Sequence, residues 1–348
     1  MFLLEKLEAR LKNHPKRIVF PDGTDPRVIM AARKYASERL GAPILLGDTE
    51  EIHQTATNLN IDLDHIRVIN PSESEEADNF ERKLVGLARF KNLQTIGTRD
   101  YVTNPHYFGA LMLANAQADT LLTGATVKAS GALRPLLQIV PRQRNSQTVA
   151  SFQILDTGKS AYGAGGVLFL ADCAVLPEPN AEQLADIAVI TASMLRLLTD
   201  ATPRVAMLGY SNKSRSSHSP AILKMETASR LAHGLSMKFG ITMEIEGELQ
   251  ADVALHSTIA RIKGLHSSVG GQANILIFPD LNCANICSKM VQLLTGSRYY
   301  GQILTGFNRP AASISRSARA EDIYGTSVIL GCQAINPKLL FPLASAHA

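Results

Sequence analysis

An α/β protein of two domains is the fold the sequence predicts, on three observations. Short β-rich runs alternate with helical stretches along the whole chain. Several of those runs are continuously apolar, as parallel strands covered on both faces must be. The length, 348 residues, is roughly twice the ~150 residues of a typical domain. Expected strands lie at 17–20, 43–46, 66–69, 120–123, 167–171, 205–208, 274–278 and 302–304.

Composition narrows the function. With 45% hydrophobic and 19% charged residues, a disordered or low-complexity chain is excluded. No run of about 18 apolar residues occurs, so no membrane helix is expected. The first residues, MFLLEKLEARLKNHPKR, carry charge at Glu5, Lys6, Glu8 and Arg10. They read as a short amphipathic helix, because a secretory leader needs an uninterrupted apolar stretch. The expectation is a soluble, cytoplasmic protein with no membrane partner. Thirty-five Lys and Arg against 31 Asp and Glu leave a net charge of +4. That surplus is too dispersed for nucleic-acid binding, yet suits a small anion held by a few placed arginines. The four cysteines do not make a disulfide framework in a chain this long. Cys283 and Cys287 share a helical face and read as small buried hydrophobes rather than metal ligands.

The elements can be justified in order. The N-terminal helix is followed by a strand at 17–20 and then Asp25-Pro26, a capping side chain ahead of a proline at the first helical position. The apolar run at 120–123 ends in Gly124. Gly163, Gly165 and Gly166 suit a loop feeding the strand at 167–171. Asn180 precedes a long helix in which Leu184, Ala188, Leu195 and Leu198 line one face. Ser219-Pro220 marks another helix start. In 315–323, Ser317 can cap a helix beginning near Ala318, with Glu321 closing a capping box.

Strand–turn–helix junctions are where an α/β protein places its chemistry. Five are rich in Ser, Asn, Gly and Arg, at 20–25, 124–134, 210–214, 278–282 and 315–317. Each offers free backbone N–H groups at a helix N-terminus, which favour phosphate. None carries a GxGxxG or GxxxxGK[ST] pattern, so dinucleotide and P-loop readings lose their support. At 315–322 an arginine and a carboxylate flank a helix start. The same residues fit either a phosphate site with a base beside it or an ordinary capped helix. His218, His233, His256 and His266 have no motif partners and read as surface or core histidines. Cys173 reads as a structural or cleft-lining thiol.

Read together, these segments follow a family pattern. Phe20-Pro21-Asp22-Gly23-Thr24-Asp25-Pro26-Arg27, Ala118-Asp119-Thr120 with Gly124-Ala125, and Leu133-Arg134-Pro135 appear in register. So do Ala171-Asp172-Cys173, Gly247-Glu248-Leu249-Gln250, Phe278-Pro279-Asp280-Leu281-Asn282 and Ser315-Arg316. Their order and spacing resemble the phosphate acetyltransferases of the phosphate acetyl/butyryl transferase family, over nearly the whole chain. The resemblance implies reversible transfer of an acetyl group between acetyl phosphate and coenzyme A. It implies two three-layer α/β domains with a cleft between them, like the isocitrate/isopropylmalate dehydrogenases, and a homodimer. Domain one would be discontinuous, 1–145 with 306–348, around a second domain of 146–305. Coenzyme A would be a substrate, with no tightly bound cofactor and no metal.

By the same resemblance Asp322 is the base for the coenzyme A thiol, Ser315 lies near the reacting carbonyl, and Arg316 and Arg134 bind phosphate. Arg89, Ser211, Lys213, Asn282, Asn285 and Lys289 complete the substrate contacts. Arg316 is expected to face substrate rather than Asp322, whose burial would help it act as a base. The chain departs from the pattern after Gly124, at 211–215, at Ala284 and Cys287 where glycine is usual, and at Gln302 and Thr305. A longer acyl chain, or a weakly catalytic binding paralogue, is the alternative that these departures leave.

Overall fold

The computed structural model describes residues 3–87, 97–143, 148–212 and 219–336; Arg89, Lys213 and His218 lie outside them. The chain separates into one compact unit of Met1–Arg142 with Phe307–Ile335 and a second containing Gln143–Gly306. The first unit opens with α1 (Leu3–Lys12), β1 (Ile18–Phe20), α2 (Pro26–Ser37), β2 (Pro43–Leu46), α3 (Thr49–Asn58) and β3 (Arg67–Ile69). It continues through α4 (Ala77–Gly86), α5 (Thr98–Thr103), α6 (Pro105–Ala114), β4 (Thr120–Thr123) and α7 (Ala129–Ile139). The second unit holds β5 (Ala150–Asp156), β6 (Val167–Ala171), α8 (Ala181–Thr199), β7 (Arg204–Leu208) and α9 (Pro220–Lys238). Then come β8 (Glu244–Leu249), α10 (Ala251–Leu255), α11 (Ser257–Ile262), β9 (Ile275–Ile277), α12 (Leu281–Thr295) and β10 (Arg298–Thr305). The chain returns to the first unit with β11 (Ala311–Ser313) and α13 (Ala320–Gln333).

In the first unit the strands run β3-β2-β1-β4-β11, all parallel. The inner strand sequences IVF (β1) and PILL (β2) are fully apolar and buried throughout, as a sheet covered on both faces requires. The C-terminal helix α13 is buried from Asp322 to Gln333. A helix without a polar face must be covered all round, and α1 and α2 pack against it. Leu7 and Leu11 of α1 are fully buried, each contributing about 1.5–3 kcal/mol. The approach is close at Gly331, where a Cβ would stand 2.6 Å from Leu11 Cδ2.

In the second unit the order is β10-β5-β6-β9-β7-β8. The pairs β6–β9, β9–β7 and β7–β8 are parallel, but β10–β5 and β5–β6 are antiparallel. This differs from a purely parallel reading of the apolar runs. Asp156 and Val167 are joined by a connection too short for a parallel crossover, and it turns through Gly163, Gly165 and Gly166 at positive φ. The strand expected at 302–304 is longer, and its register slips between Tyr300 and Ile303, where Gly301 has φ 111°. Helix α8 starts as expected: the Asn180 side chain accepts from Gln183 N at 2.8 Å, and the Gln183 side chain accepts from Asn180 N at 2.9 Å. Leu184, Ala188, Leu195 and Leu198 are all buried. Among the described residues no helix is long and apolar enough to cross a membrane.

Two expectations are corrected. Cys283 and Cys287 are exposed rather than buried, because α12 turns only Ala284 and Ser288 inward. The last helix starts at Ala320 with Arg319 as its N-cap, not near Ala318 with Ser317. Asp322, in place of Glu321, reaches back to the cap: its Oδ2 accepts from Arg319 N at 3.0 Å. Ser317 instead pairs hydroxyls with Ser315 at 2.8 Å.

Candidate active site

Three adjacent parallel strands, β1, β4 and β11, each end in a turn that leads to a helix N-terminus, the edge at which α/β sheets bind ligands. The turns are sewn together by the chain itself. Ile314 N donates to Thr123 O at 2.8 Å. At Gly124, φ is 105° and a Cβ would meet Ile314 O at 2.7 Å, so only glycine lets the two turns lie this close.

Asp22, at the end of β1, is the hub of the β4 turn. Its side chain is 1% exposed and accepts from Gly124 N at 2.8 Å, from Thr126 N at 3.0 Å and from the Thr126 hydroxyl. His106 on α6 closes the other side, with Nδ1 2.8 Å from Thr123 Oγ1 and Nε2 3.9 Å from Asp22 Oδ1. Burial pushes the His106 imidazole below its usual value, and Asp22 opposes this only partly. A group held neutral in this way contributes its stability above the ordinary value of ~6.5 and loses it as pH falls. Melting followed from pH 7.5 to 5 should therefore fall more steeply for the native chain than for His106→Gln; equal slopes would remove His106 from this role.

Of the sequence-predicted residues, Arg134, Ser315, Arg316 and Asp322 all belong to this unit. Arg134 is exposed on α7, close enough to Tyr107 to oppose the burial that pushes its phenol up. Ser315 and Arg316 are exposed in the turn after β11, whereas Asp322 is buried in the first turn of α13. The Asp322 carboxylate is gripped by Arg319, with Nε 3.1 Å from Oδ2 and Nη2 3.1 Å from Oδ1. Burial is as expected, but an arginine contact is not: Arg319 fills the position in which no cation was anticipated. With the contact from Arg319 N, Oδ2 accepts two hydrogen bonds and Oδ1 one, so Oδ1 keeps a lone pair for a proton.

In the second unit, Ser211 is half-buried in the turn after β7. The neighbouring Asn212 and Gln250 fix that turn, through Nδ2 to Oε1 at 2.6 Å and Gln250 N to Oδ1 at 2.8 Å. Asn282, Asn285 and Lys289 fall at i, i+3 and i+7 on α12, one face of the helix. Lys224 Nζ donates to Pro279 O at 2.8 Å and steadies the turn that precedes them. Asp172 accepts from Ser151 N and Oγ and from the backbone N–H groups of Ala174, Val175 and Leu176. Cys173 is fully buried, and burial pushes its thiol well above the ordinary range. It packs in the core cluster with Leu170 and Phe278, and a protonated buried thiol is a poor nucleophile.

Residues 2–330 match the family described as Phosphate acetyl/butaryl transferase. The chain belongs to that family. It is thereby an acyltransferase. It is 35% identical over 334 residues to a phosphate acetyltransferase of Thermoanaerobacterium thermosaccharolyticum, covering 96% of this chain and 100% of the relative. A phosphotransacetylase structure from Streptococcus pyogenes superposes with a TM-score of 0.85 at 33% identity, covering 96% of this chain and 98% of that one. The 4-hydroxythreonine-4-phosphate dehydrogenase of Klebsiella pneumoniae, at 13% identity, has a TM-score of 0.51 over 92% of this chain. That likeness bears on the fold alone, and it agrees with the dehydrogenase-like α/β architecture expected.

Two features of this member of the acetyl/butaryl transferases were not assigned from sequence. Asp22 and Arg27 lie in the motif at 20–27 yet carry no role there, because the groups they hold are distant in the chain. Arg319 stands three residues before Asp322, a helical pairing distance. One departure from the family pattern is absorbed. Ala284, where glycine is usual, is fully buried in a core cluster with Leu170 and Phe278, so its methyl fills the interior.

Proposed function

We propose that this chain catalyses reversible acetyl transfer between acetyl phosphate and coenzyme A. Asp322 takes the thiol proton, the thiolate attacks the acetyl carbonyl, and the carbon–oxygen bond to phosphate breaks with its electron pair leaving on phosphate. Ser315 lies near the reacting carbonyl, and Arg316 and Arg134 hold the phosphate as its charge develops. The observation that carries this reading is the position of Ser315, Arg316 and Asp322 around one helix start, beside the Gly124 turn.

Arg89, Ser211, Lys213, Asn282, Asn285 and Lys289 are the remaining substrate contacts. Coenzyme A is a substrate, with no tightly bound cofactor, and arginines carry the phosphate charge without a metal. The discontinuous domain, 1–145 with 306–348 around 146–305, and a cytoplasmic location belong to the same proposal. So does a homodimer, which an apolar row on α12 supports: Ile286, Met290, Leu293 and Leu294 are 56%, 55%, 84% and 78% exposed. A run of this kind is uncommon on a solitary surface.

Acetyl-CoA and phosphate supplied to the protein should release free thiol only when phosphate or arsenate is present. Silence while coenzyme A still binds would favour a binding protein instead. Acetyl-CoA should outpace propionyl- and butyryl-CoA; the reverse order would replace acetyl by a longer chain.

A further inference from the structure

Arg27, in the first turn of α2, is 30% exposed along its side chain and donates to three separate segments. Nε donates to Asp25 Oδ1 at 3.0 Å and Nη2 to Asp25 Oδ2 at 2.7 Å. Nη1 donates to Arg316 O at 2.7 Å and to Ala318 O at 2.8 Å. Nη2 donates again, to Ala125 O at 3.0 Å. A guanidinium has five N–H donors, and all of them are used. It has nothing left for a substrate, so it does not belong with the phosphate-binding arginines.

Its acceptors define what it does. Asp25 orients the fork while its Oδ1 caps α2 through Arg27 N at 2.8 Å. The two carbonyls on Nη1 flank Ser317 and come from the turn that carries Ser315 and Arg316. The carbonyl on Nη2 comes from the Gly124 turn, between the two residues whose N–H groups Asp22 holds. Both strand-end turns are thus pinned by neighbouring residues of a third, Asp22 to one and Arg27 to both.

We propose that Arg27 is a positioning residue for acyl transfer, clamping the 315–318 turn against the 124–126 turn so that Ser315 and Arg316 are presented in fixed register. The inference rests on the reading that those two residues meet substrate. Lysine cannot replace it: an ammonium has three donors and no planar fork. Displacing a reacting group by about 1 Å costs on the order of 10²-fold in rate.

The test compares Arg27→Lys and Arg27→Ala with the native enzyme for melting temperature, for kcat, for KM of coenzyme A and of acetyl phosphate, and for rescue by added guanidinium at tens of millimolar. Arg27→Lys should fold and lose roughly 10- to 100-fold in kcat, with KM for coenzyme A within about threefold. Guanidinium should return several-fold of the lost kcat to Arg27→Ala. Native kcat in folded Arg27→Lys overturns the proposal, as does a folded Arg27→Ala that guanidinium does not rescue. If Arg27→Ala does not fold, Arg27→Lys decides alone; failure of both to fold overturns the proposal in favour of a purely structural role. The underlying reading fails on a different result, native turnover in Asp322→Asn.

Discussion

Replacing Asp322 by asparagine is expected to lower kcat by about 10²- to 10⁴-fold while KM for coenzyme A stays within about twofold. The reason is a proton. A thiol near pKa ~8.5 and a carboxylate near ~3.9 differ by about 4.6 units, roughly 6 kcal/mol against transfer. Under the proposed mechanism a cation beside the thiol narrows that gap from the sulfur side, the part given to Arg316. The carboxylate then needs only an open lone pair at the right place, and Oδ1 has one beyond its contact with Arg319 Nη2. An asparagine carbonyl can still accept from Arg319 N, so the helix start survives and the melting temperature should move little. It cannot take up the proton. Native turnover in a folded Asp322→Asn would remove this residue from the base role.

How much of this was legible in the sequence depends on what each residue had to say locally. Strands made of apolar runs, such as those at 43–46 and 167–171, were placed because burial on both faces leaves no polar alternation to misread. Three strands were not expected. In β5 the buried Ser151, Gln153 and Asp156 look like surface residues, and it takes Asp172, far along the chain, to satisfy Ser151. In β8 the acids Glu244, Glu246 and Glu248 alternate with Ile245, Gly247 and Leu249, a period-two pattern missed when only continuous apolar runs are read as strands. In β11 the sequence AAS has no β-branched residue to announce one.

The site divides in the same way. Ser315, Arg316 and Asp322, the residues of the proposal, stand out as types at a helix start, where anions and the groups that handle them collect, whereas Arg134 comes from the family resemblance alone. Asp22 and Arg27 do not stand out, since their partners lie about one hundred and almost three hundred residues away. Nor does spacing say which of Ser317 and Arg319 caps α13. What distinguishes them is tertiary: Arg27 takes the Ala318 carbonyl, and Arg319 N donates to Asp322 Oδ2.

Asp22→Ala should cost the first unit about 3 kcal/mol and lower its melting by roughly 5–10 °C. Three donors lose their acceptor together, and Gly124, whose N–H is one of them, is buried. Water cannot easily replace the carboxylate there, because the side chain is 1% exposed, and an orphaned buried N–H bears its full desolvation cost. Asp22→Asn separates charge from geometry. Its one carbonyl oxygen can serve either the Gly124 N–H or the two Thr126 donors, and its amide N–H groups then face what is left, so it should fall between alanine and the native chain. Activity should fall with stability in both variants, because the Gly124 turn also supplies the carbonyl that Arg27 grips. Melting of Asp22→Ala within about 2 °C of the native protein would show that the turn holds its shape without the carboxylate. The sewing of the three strand ends would then rest on the other contacts, among them Arg27, the His106–Thr123 pair and the Ile314–Thr123 backbone bond.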